Sequence, residues 1–475
     1  MLGQKSRGNF KIKKYTTYSC FVVLYYKIIR RCELIMNKKL DIFIFGILSF
    51  VLGALVGAVV YLFLRGFSII TDFIWNTLPE LLGVKDVSLI GQSDCGILIF
   101  DVGICVLGGL VIGLWQRKVG IFPESLEEVL SKVKKDKGYS YDKVHIIIVS
   151  AIIPLVFGAA VGPEAGLTGV IAGLCTFVGD RLKYKGDRVK EVAGAGLSAT
   201  LGVIFNAPLY GIFEQIEDRR TGKVNERERL VSKVTRGVIY ALAVIGGVLT
   251  FKGLGLLLGE LEGLPRFSAD RVGDFSVYLS DWMWGIPLII AGMILAIIYA
   301  IVNKITLRIG EMLLKYRVIS CVIAGILLGA VGHFVSSGRF SGEDQMGILI
   351  ESYQEFTVLS LVILGLVKLI MVNVSVNLGW KGGTIFPMIY SAVAVGYAGT
   401  LIIQNFGGKS DFEAIFAVAL VAASMLGFLM RKPITVVAIL LLCFPLTYLP
   451  ALIIASLISS YAGRFIFNKL NKNKN

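Results

Sequence analysis

Long apolar stretches separated by short charged connections set the pattern of this 475-residue chain. They centre on residues 41–64, 96–115, 145–179, 192–216, 233–259, 284–307, 317–336, 357–378, 384–404, 412–430 and 433–467. About 20 apolar residues in a helix cross the hydrocarbon layer, so most of these stretches predict membrane spans. Several of these stretches are too long for one crossing, and Gly or Pro interrupts others. The pattern predicts an all-α polytopic membrane protein with broken helices, and leaves the exact span count open.

Small residues punctuate the first span at Gly53, Ala54, Gly57 and Ala58, and the 192–216 stretch at Gly194, Ala195, Gly196, Ala199 and Gly202. Residues of that size let two helices approach closely in a membrane. The second half loosely repeats the first. AASMLGFLMRKPITVV echoes AGLSATLGVIFNAPLYGIF, with small residues, a proline and then apolar helix. A broken helix at corresponding places in each half points to an inverted-repeat transporter with a midplane site. The expected halves are 36–230 and 231–467.

Composition agrees: 55% of residues are hydrophobic and mean hydropathy is +0.76, which excludes an ordinary soluble domain. The net charge of +15 gathers at the ends. Residues 1–39 hold ten Lys/Arg against one Glu, and residues 464–475 hold four Lys/Arg and no acid. Basic residues flanking membrane spans follow the positive-inside rule, a better account than nucleic-acid binding. Both termini are therefore expected in the cytoplasm of a plasma-membrane protein, with an even number of crossings. Residues 1–35 read as a basic extension, untranslated or mobile, because Met36-Asn37-Lys38-Lys39 before an apolar helix is a more usual start. Residues 468–475 read as a basic cytoplasmic tail.

Chemistry concentrates at Glu164. Apart from His145 at its edge, it is the only ionisable residue in HIIIVSAIIPLVFGAAVGPEAGLTGVIAGLCTFVG. A carboxylate at bilayer depth costs about 2.5–3.5 kcal/mol on insertion scales, which a merely structural role leaves unexplained. Gly162-Pro163-Glu164-Ala165-Gly166 predicts a break and a helix start, with Pro163 at the first helical position. A helix start carries partial positive charge and unpaired N–H groups, and so holds anions. Residues 377–390, NLGWKGGTIFPMIY, predict a second such start. Glu214, Glu217 and Asp218 share one helical face at the end of the 192–216 stretch. Periodicity alone favours a helix end emerging into cytoplasm there. Seven scattered cysteines lack CxxC spacing, and His145 and His333 lack partners at ligand spacing, so no metal site or cofactor is expected.

Taken in order, these motifs resemble the CLC family of chloride channels and chloride/proton antiporters, over roughly residues 41–467. NAPLYGIFEQIED is similar to the family's N-A-P-L-x-G with its acid pair. Val161-Gly162-Pro163-Glu164-Ala165-Gly166 resembles G-[KR]-E-G-P, Gly382-Gly383-Thr384-Ile385-Phe386-Pro387 resembles G-x-F-x-P, and Gly120-Ile121-Phe122-Pro123-Glu124 resembles the end of G-S-G-I-P-E. The resemblance implies a homodimer whose subunits each hold a pore built from two inverted halves. It implies Glu164 as the gate. Gly120, Ile121, Phe122, Gly162, Pro163, Ala165, Ile385 and Phe386 would surround the anion. Asp218, with Glu217 beside it, would transfer protons on the inward side. It is a resemblance to members without the paired cytoplasmic regulatory domains.

The departures are specific. Gly120 stands where the family has a coordinating serine, so a backbone N–H would have to replace the hydroxyl. Pro163 stands where a basic residue precedes the gating glutamate, and Ile385 where the aligned phenylalanine falls. The central tyrosine has no clear counterpart, Tyr461 being the nearest. The function expected is transport of a small anion, chloride first, across the bilayer with protons moving in return. Passive chloride conduction, or transport of fluoride, nitrate or an organic anion, are the alternatives. An intramembrane enzyme is remote, since Glu164 has no second catalytic group near it in sequence.

Overall fold

The computed structural model describes residues 12–83, 93–136, 138–184, 187–217, 233–261, 267, 279–441 and 443–472. Helix α1 (Ile12–Asp72) runs without a break through residue 36 into the first apolar stretch and on past its end. A π-turn (Phe73–Thr77) and the short α2 (Leu78–Leu81) follow. Then come α3 (Ser93–Val119), α4 (Leu126–Asp136), α5 (Val144–Val156), α6 (Glu164–Arg181), α7 (Asp187–Ile204), α8 (Pro208–Ile216) and α9 (Lys233–Leu258). The second half supplies α10 (Gly285–Met312), α11 (Arg317–Phe334), α12 (Glu343–Ser352), α13 (Val358–Asn377) and α14 (Ile385–Phe406). It ends with α15 (Ala414–Met430), α16 (Pro433–Leu440) and α17 (Leu449–Lys472).

Three of the apolar stretches break where Gly and Pro stand. Residues 145–179 divide into α5 and α6 at Phe157–Pro163, residues 192–216 into α7 and α8 at Phe205–Ala207, and residues 433–467 into α16 and α17. Pro208 and Pro433 sit in the first turn of α8 and α16, where a missing N–H breaks no helical bond. Among the described residues eight helices are long and apolar enough to cross a membrane, and α5 and α15 are shorter apolar helices. No strand occurs among the described residues. A single antiparallel bridge joins Gly162 to Gly383.

Small residues set the packing as their positions predict. Gly53 and Gly57 of α1 lie against the backbone of Ala243 and Gly247 in α9, leaving no room for a side chain. Helix α3 packs along α11, α6 along α7, and α14 lies between α13 and α15. The centre of the molecule is α14, with 83% of its most apolar window buried, against 28–50% for the other spans. Outer helices keep apolar faces open: Ile286, Ile290, Ile294, Ile301 and Ile305 of α10 are all exposed. An apolar surface of that kind suits lipid and not water.

Helix α4 differs from the rest. It is amphipathic, buries Val129, Leu130 and Val133, and packs on α6 and α7. A reciprocal cap starts it: Ser125 N–H donates to Glu128 Oε2 at 2.9 Å, and Glu128 N–H to Ser125 Oγ at 3.3 Å. In the connection after α4, burial pushes the Tyr139 phenol pKa up, and neighbouring Glu124 adds to the rise.

Candidate functional site

Glu164 opens α6, with Pro163 one place earlier at the cap and not inside the helix. The residue is fully buried. Its Oε1 accepts the backbone N–H of Ile385 at 2.9 Å, across 221 residues of chain. Phe386, the next residue of α14, lies beside the carboxylate, its ring close to Gly162 as well. One side chain therefore lies on the starts of two helices, α6 from the first half and α14 from the second. Its other oxygen, Oε2, has no hydrogen-bond partner among the described residues.

Two glycines make this meeting possible. Gly162 N–H donates to Gly383 O at 2.9 Å, and Gly383 N–H to Gly162 O at 2.8 Å, which pins the two entry segments together. A Cβ at either position would collide with the Glu164 carboxylate. Close approach, and not a left-handed backbone, explains both glycines. Phe386 stacks face to face on Phe205, centroids 4.6 Å apart, and Phe205 meets the edge of Tyr210 at 5.0 Å. Ala165 is buried in the first turn of α6.

A cavity of about 880 Å³ reaches this point from one side. Val161, Pro163, Asn206 and Phe386 line its floor, and Arg65, Asp72, Lys252, Glu260, Glu343 and Asp344 lie on its walls. Four acids against two bases make an acidic approach, consistent with the loss of a cation at Pro163. Glu343, the first residue of α12, accepts a bond from Ser341 Oγ at 3.1 Å. Nothing in its sequence context marked it, because its setting is made by the fold.

The expected anion contacts divide into two groups. Gly162, Pro163, Ala165, Ile385 and Phe386 gather at Glu164. Gly120, Ile121 and Phe122 do not join them. Gly120 has φ +94° and its N–H donates to Gln116 O at 2.9 Å, closing the end of α3. The N–H expected to replace the serine hydroxyl is thus already used. Ile121 is exposed. Phe122 lines a different cavity of about 870 Å³, with Tyr139, Lys143, Thr176 and Asp180, at the far end of α6 from Glu164.

Of the two expected proton-transfer acids, Asp218 lies outside the described residues. Glu217 is engaged as a helix cap. Its Oε1 accepts Ile434 N–H at 3.2 Å, and its Oε2 accepts Thr435 N–H at 2.6 Å and Thr435 Oγ1 at 2.7 Å. Both oxygens of Glu217 therefore hold the start of α16. Glu214 is nearly fully buried and pairs with Lys432 Nζ at 2.5 Å. Tyr461 is 63% exposed on α17, so it is no central tyrosine.

Two residues escaped sequence reading. Tyr210 is fully buried on α8, and its hydroxyl has no partner among the described residues. Lys368, fully buried in α13, donates to Arg339 O and Phe340 O, both at 2.9 Å, and lies 5.2 Å from the Tyr390 ring centre. Lys368 was the legible one, as a lone lysine inside VLSLVILGLVKLIMVNVSVN. His333 pairs with Asp101 at 3.1 Å, beside an Arg339–Asp101 bridge of 2.7 Å. No group of three metal-ligating side chains occurs among the described residues.

Comparison with known proteins gives one family. The model described as "Voltage gated chloride channel" matches residues 108–464. "Putative ion-transport protein YfeO" of Shigella sonnei is 26% identical over 344 residues, covering 69% of this chain and 72% of that protein. The same-named protein of Escherichia coli K12 is 25% identical over 346 residues, with the same coverage. Among solved structures, a slow cyanobacterial Cl−/H+ antiporter superposes with a TM-score of 0.69 at 14% identity, covering 88% of this chain and 94% of that one. A CLC-type fluoride/proton antiporter gives 0.67 at 17% identity, covering 89% and 95%. At these identities the two superpositions speak to fold alone.

Proposed function

Because the chain belongs to the voltage gated chloride channel family, we propose that it exchanges a small anion, chloride first, for protons, with Glu164 as the gate. One observation carries the reading. Glu164 is fully buried where the starts of α6 and α14 converge, one oxygen held by Ile385 N–H and the other without a partner among the described residues. Ionised, the carboxylate occupies a place made for an anion. Protonated, it gives up the charge that holds it there, and an incoming anion takes the N–H groups. Anion and proton thus compete for one position, which is the elementary requirement for exchange.

The surroundings support the reading. The cavity reaches Pro163 and Phe386, on either side of the buried carboxylate, and in this reading it is the route from the carboxylate to one face of the membrane. The acids on its walls favour delivery of protons over accumulation of anions. The chain works as a multi-pass plasma-membrane protein with cytoplasmic termini, and a second copy completes a homodimer with one pore per subunit. Fluoride is the second reading, and Gly120 favours it. Without a serine hydroxyl and with its N–H used in α3, that position offers the anion no donor, so the inner contacts differ from those the family resemblance implies.

Reconstitution into liposomes tests this. Halide and proton movements are recorded together under a chloride gradient, then a fluoride gradient, for wild type and Glu164→Gln. The expected result is uphill proton movement driven by the halide, abolished in Glu164→Gln while halide still flows. Halide flux without protons in wild type makes the protein a channel. Absence of both fluxes overturns the anion assignment.

A further inference from the structure

Coupled exchange needs an acid on the far side of Glu164 from the outer cavity, within reach of water. Glu217 is spent as a cap on α16, so a proton taken there would have to break the start of that helix. Glu214 stands one turn nearer the centre on α8. Its side chain is 4% exposed, whereas its partner Lys432 is 22% exposed, so the lysine is the member of the pair that faces out.

The aromatic cluster joins this acid to the gate. Asn206 lies on the floor of the outer cavity, and Tyr210 and Glu214 follow on α8 at helical spacing, Glu214 about 6 Å further along the axis than Tyr210. The Tyr210 ring meets Phe205, Phe205 stacks on Phe386, and Phe386 follows Ile385, whose N–H bonds to Glu164. Glu164, Tyr210, Glu214 and Lys432 therefore follow one another from the centre outward. The Tyr210 hydroxyl is buried without a partner among the described residues, a condition that costs about 1–3 kcal/mol when nothing binds it. A hydroxyl kept at that cost, between two acids, is suited to hold a passing water.

We propose that Glu214 is the inward proton-transfer acid of this protein, handing protons to Glu164 past the Tyr210 hydroxyl; this rests on the coupled exchange proposed above. The step is a bare proton transfer. A proton from water on the Lys432 side forms an O–H bond at the Glu214 carboxylate. That bond then breaks as an O–H bond forms at the Glu164 carboxylate, directly or through one water at Tyr210. Glu214, negative again, re-pairs with Lys432. The lysine keeps the ionised form of a buried carboxylate tolerable, since a buried charge without a partner is strongly destabilising. Because Lys432 caps the start of α16 and Glu214 belongs to α8, the transfer site lies between the two halves of the chain.

The test uses the full chain in liposomes, with the halide that wild type carries, recording halide and proton fluxes together. Glu214→Gln keeps the shape of the side chain and an oxygen for Lys432. Glu214→Gln combined with Lys432→Gln removes the unpaired lysine, should the single variant fold poorly. The expected result is halide flux within about threefold of wild type and a proton-to-halide ratio at least tenfold lower, in whichever of the two is monodisperse. Wild-type coupling retained in Glu214→Gln overturns the assignment and leaves the exchange reading standing. Coupling lost in Asp218→Asn but kept in Glu214→Gln overturns it as well and moves the role to Asp218. Halide flux without protons in wild type overturns both readings, and that outcome is visible before any variant is made.

Discussion

Two glutamates of the first half rest on helix starts of the second, and the structure treats them in opposite ways. Glu164 reaches Ile385 at the start of α14, and Glu217 reaches Ile434 and Thr435 at the start of α16. Glu217 is half-exposed and has donors on both oxygens. Glu164 is fully buried and keeps one oxygen without a partner among the described residues. A satisfied carboxylate in reach of water is a structural cap, stable in place. A half-satisfied one in the core is held less firmly, because a buried polar atom without a partner raises the energy of the state that contains it. Under the proposed function, the same local chemistry, a carboxylate on an N-terminus, serves as a fastening in one place and as a gate in the other. Burial and one missing donor make the difference.

If that contrast is right, the frame around Glu164 matters more to stability than Glu164 itself. Lys368 is the strongest point of that frame. Its ammonium holds the carbonyls of Arg339 and Phe340, just before Gly342, whose φ of +97° leads into α12 and Glu343. It also lies against Tyr390 of α14. Lys368→Met keeps the volume but leaves two carbonyls without their charged donor, so a loss of about 3 kcal/mol is expected. Thermal unfolding in detergent measures it. A variant as stable as wild type shows that the loop is held by other contacts.

Next in size is Gly383→Ala. The new methyl would stand where the Glu164 carboxylate now lies, so the carboxylate must leave the start of α14. Overpacking of this kind costs about 1–3 kcal/mol. Under the proposed function, halide flux also loses its dependence on Glu164, so that adding Glu164→Gln changes the flux little. A double-mutant comparison in liposomes reads this directly. Fully additive effects on flux mean that the two residues do not share one position.

Much of this contrast was legible before any coordinates, and the reason is local. Gly and Pro placed the helix breaks, since each acts on its own backbone, and a lone carboxylate in an apolar run drew attention to Glu164. Ile385 and Phe386 were found through motif resemblance at the second break. What stayed hidden depends on contacts between distant segments. Nothing near Glu217 in sequence says that α16, more than 210 residues later, begins against it. The use of the Gly120 N–H in ending α3 appears only with its backbone bond to Gln116. Tyr210 carries no mark in its own sequence context. Its unmatched hydroxyl is a property of its neighbours and not of its own position.

The smallest effect tests the other member of the pair. Glu217→Gln retains one oxygen acceptor and loses the charge, so the cap on α16 weakens without disappearing. The expected loss is about 1 kcal/mol, in line with other N-terminal caps, and thermal unfolding in detergent checks it. The proton-to-halide ratio should stay at the wild-type value, because a residue that only fastens a helix has no part in the transfer. A fall in that ratio with little change in stability would reverse the comparison. It would mean that the cap opens during transport, and that being fully bonded at rest does not keep a carboxylate out of the proton path.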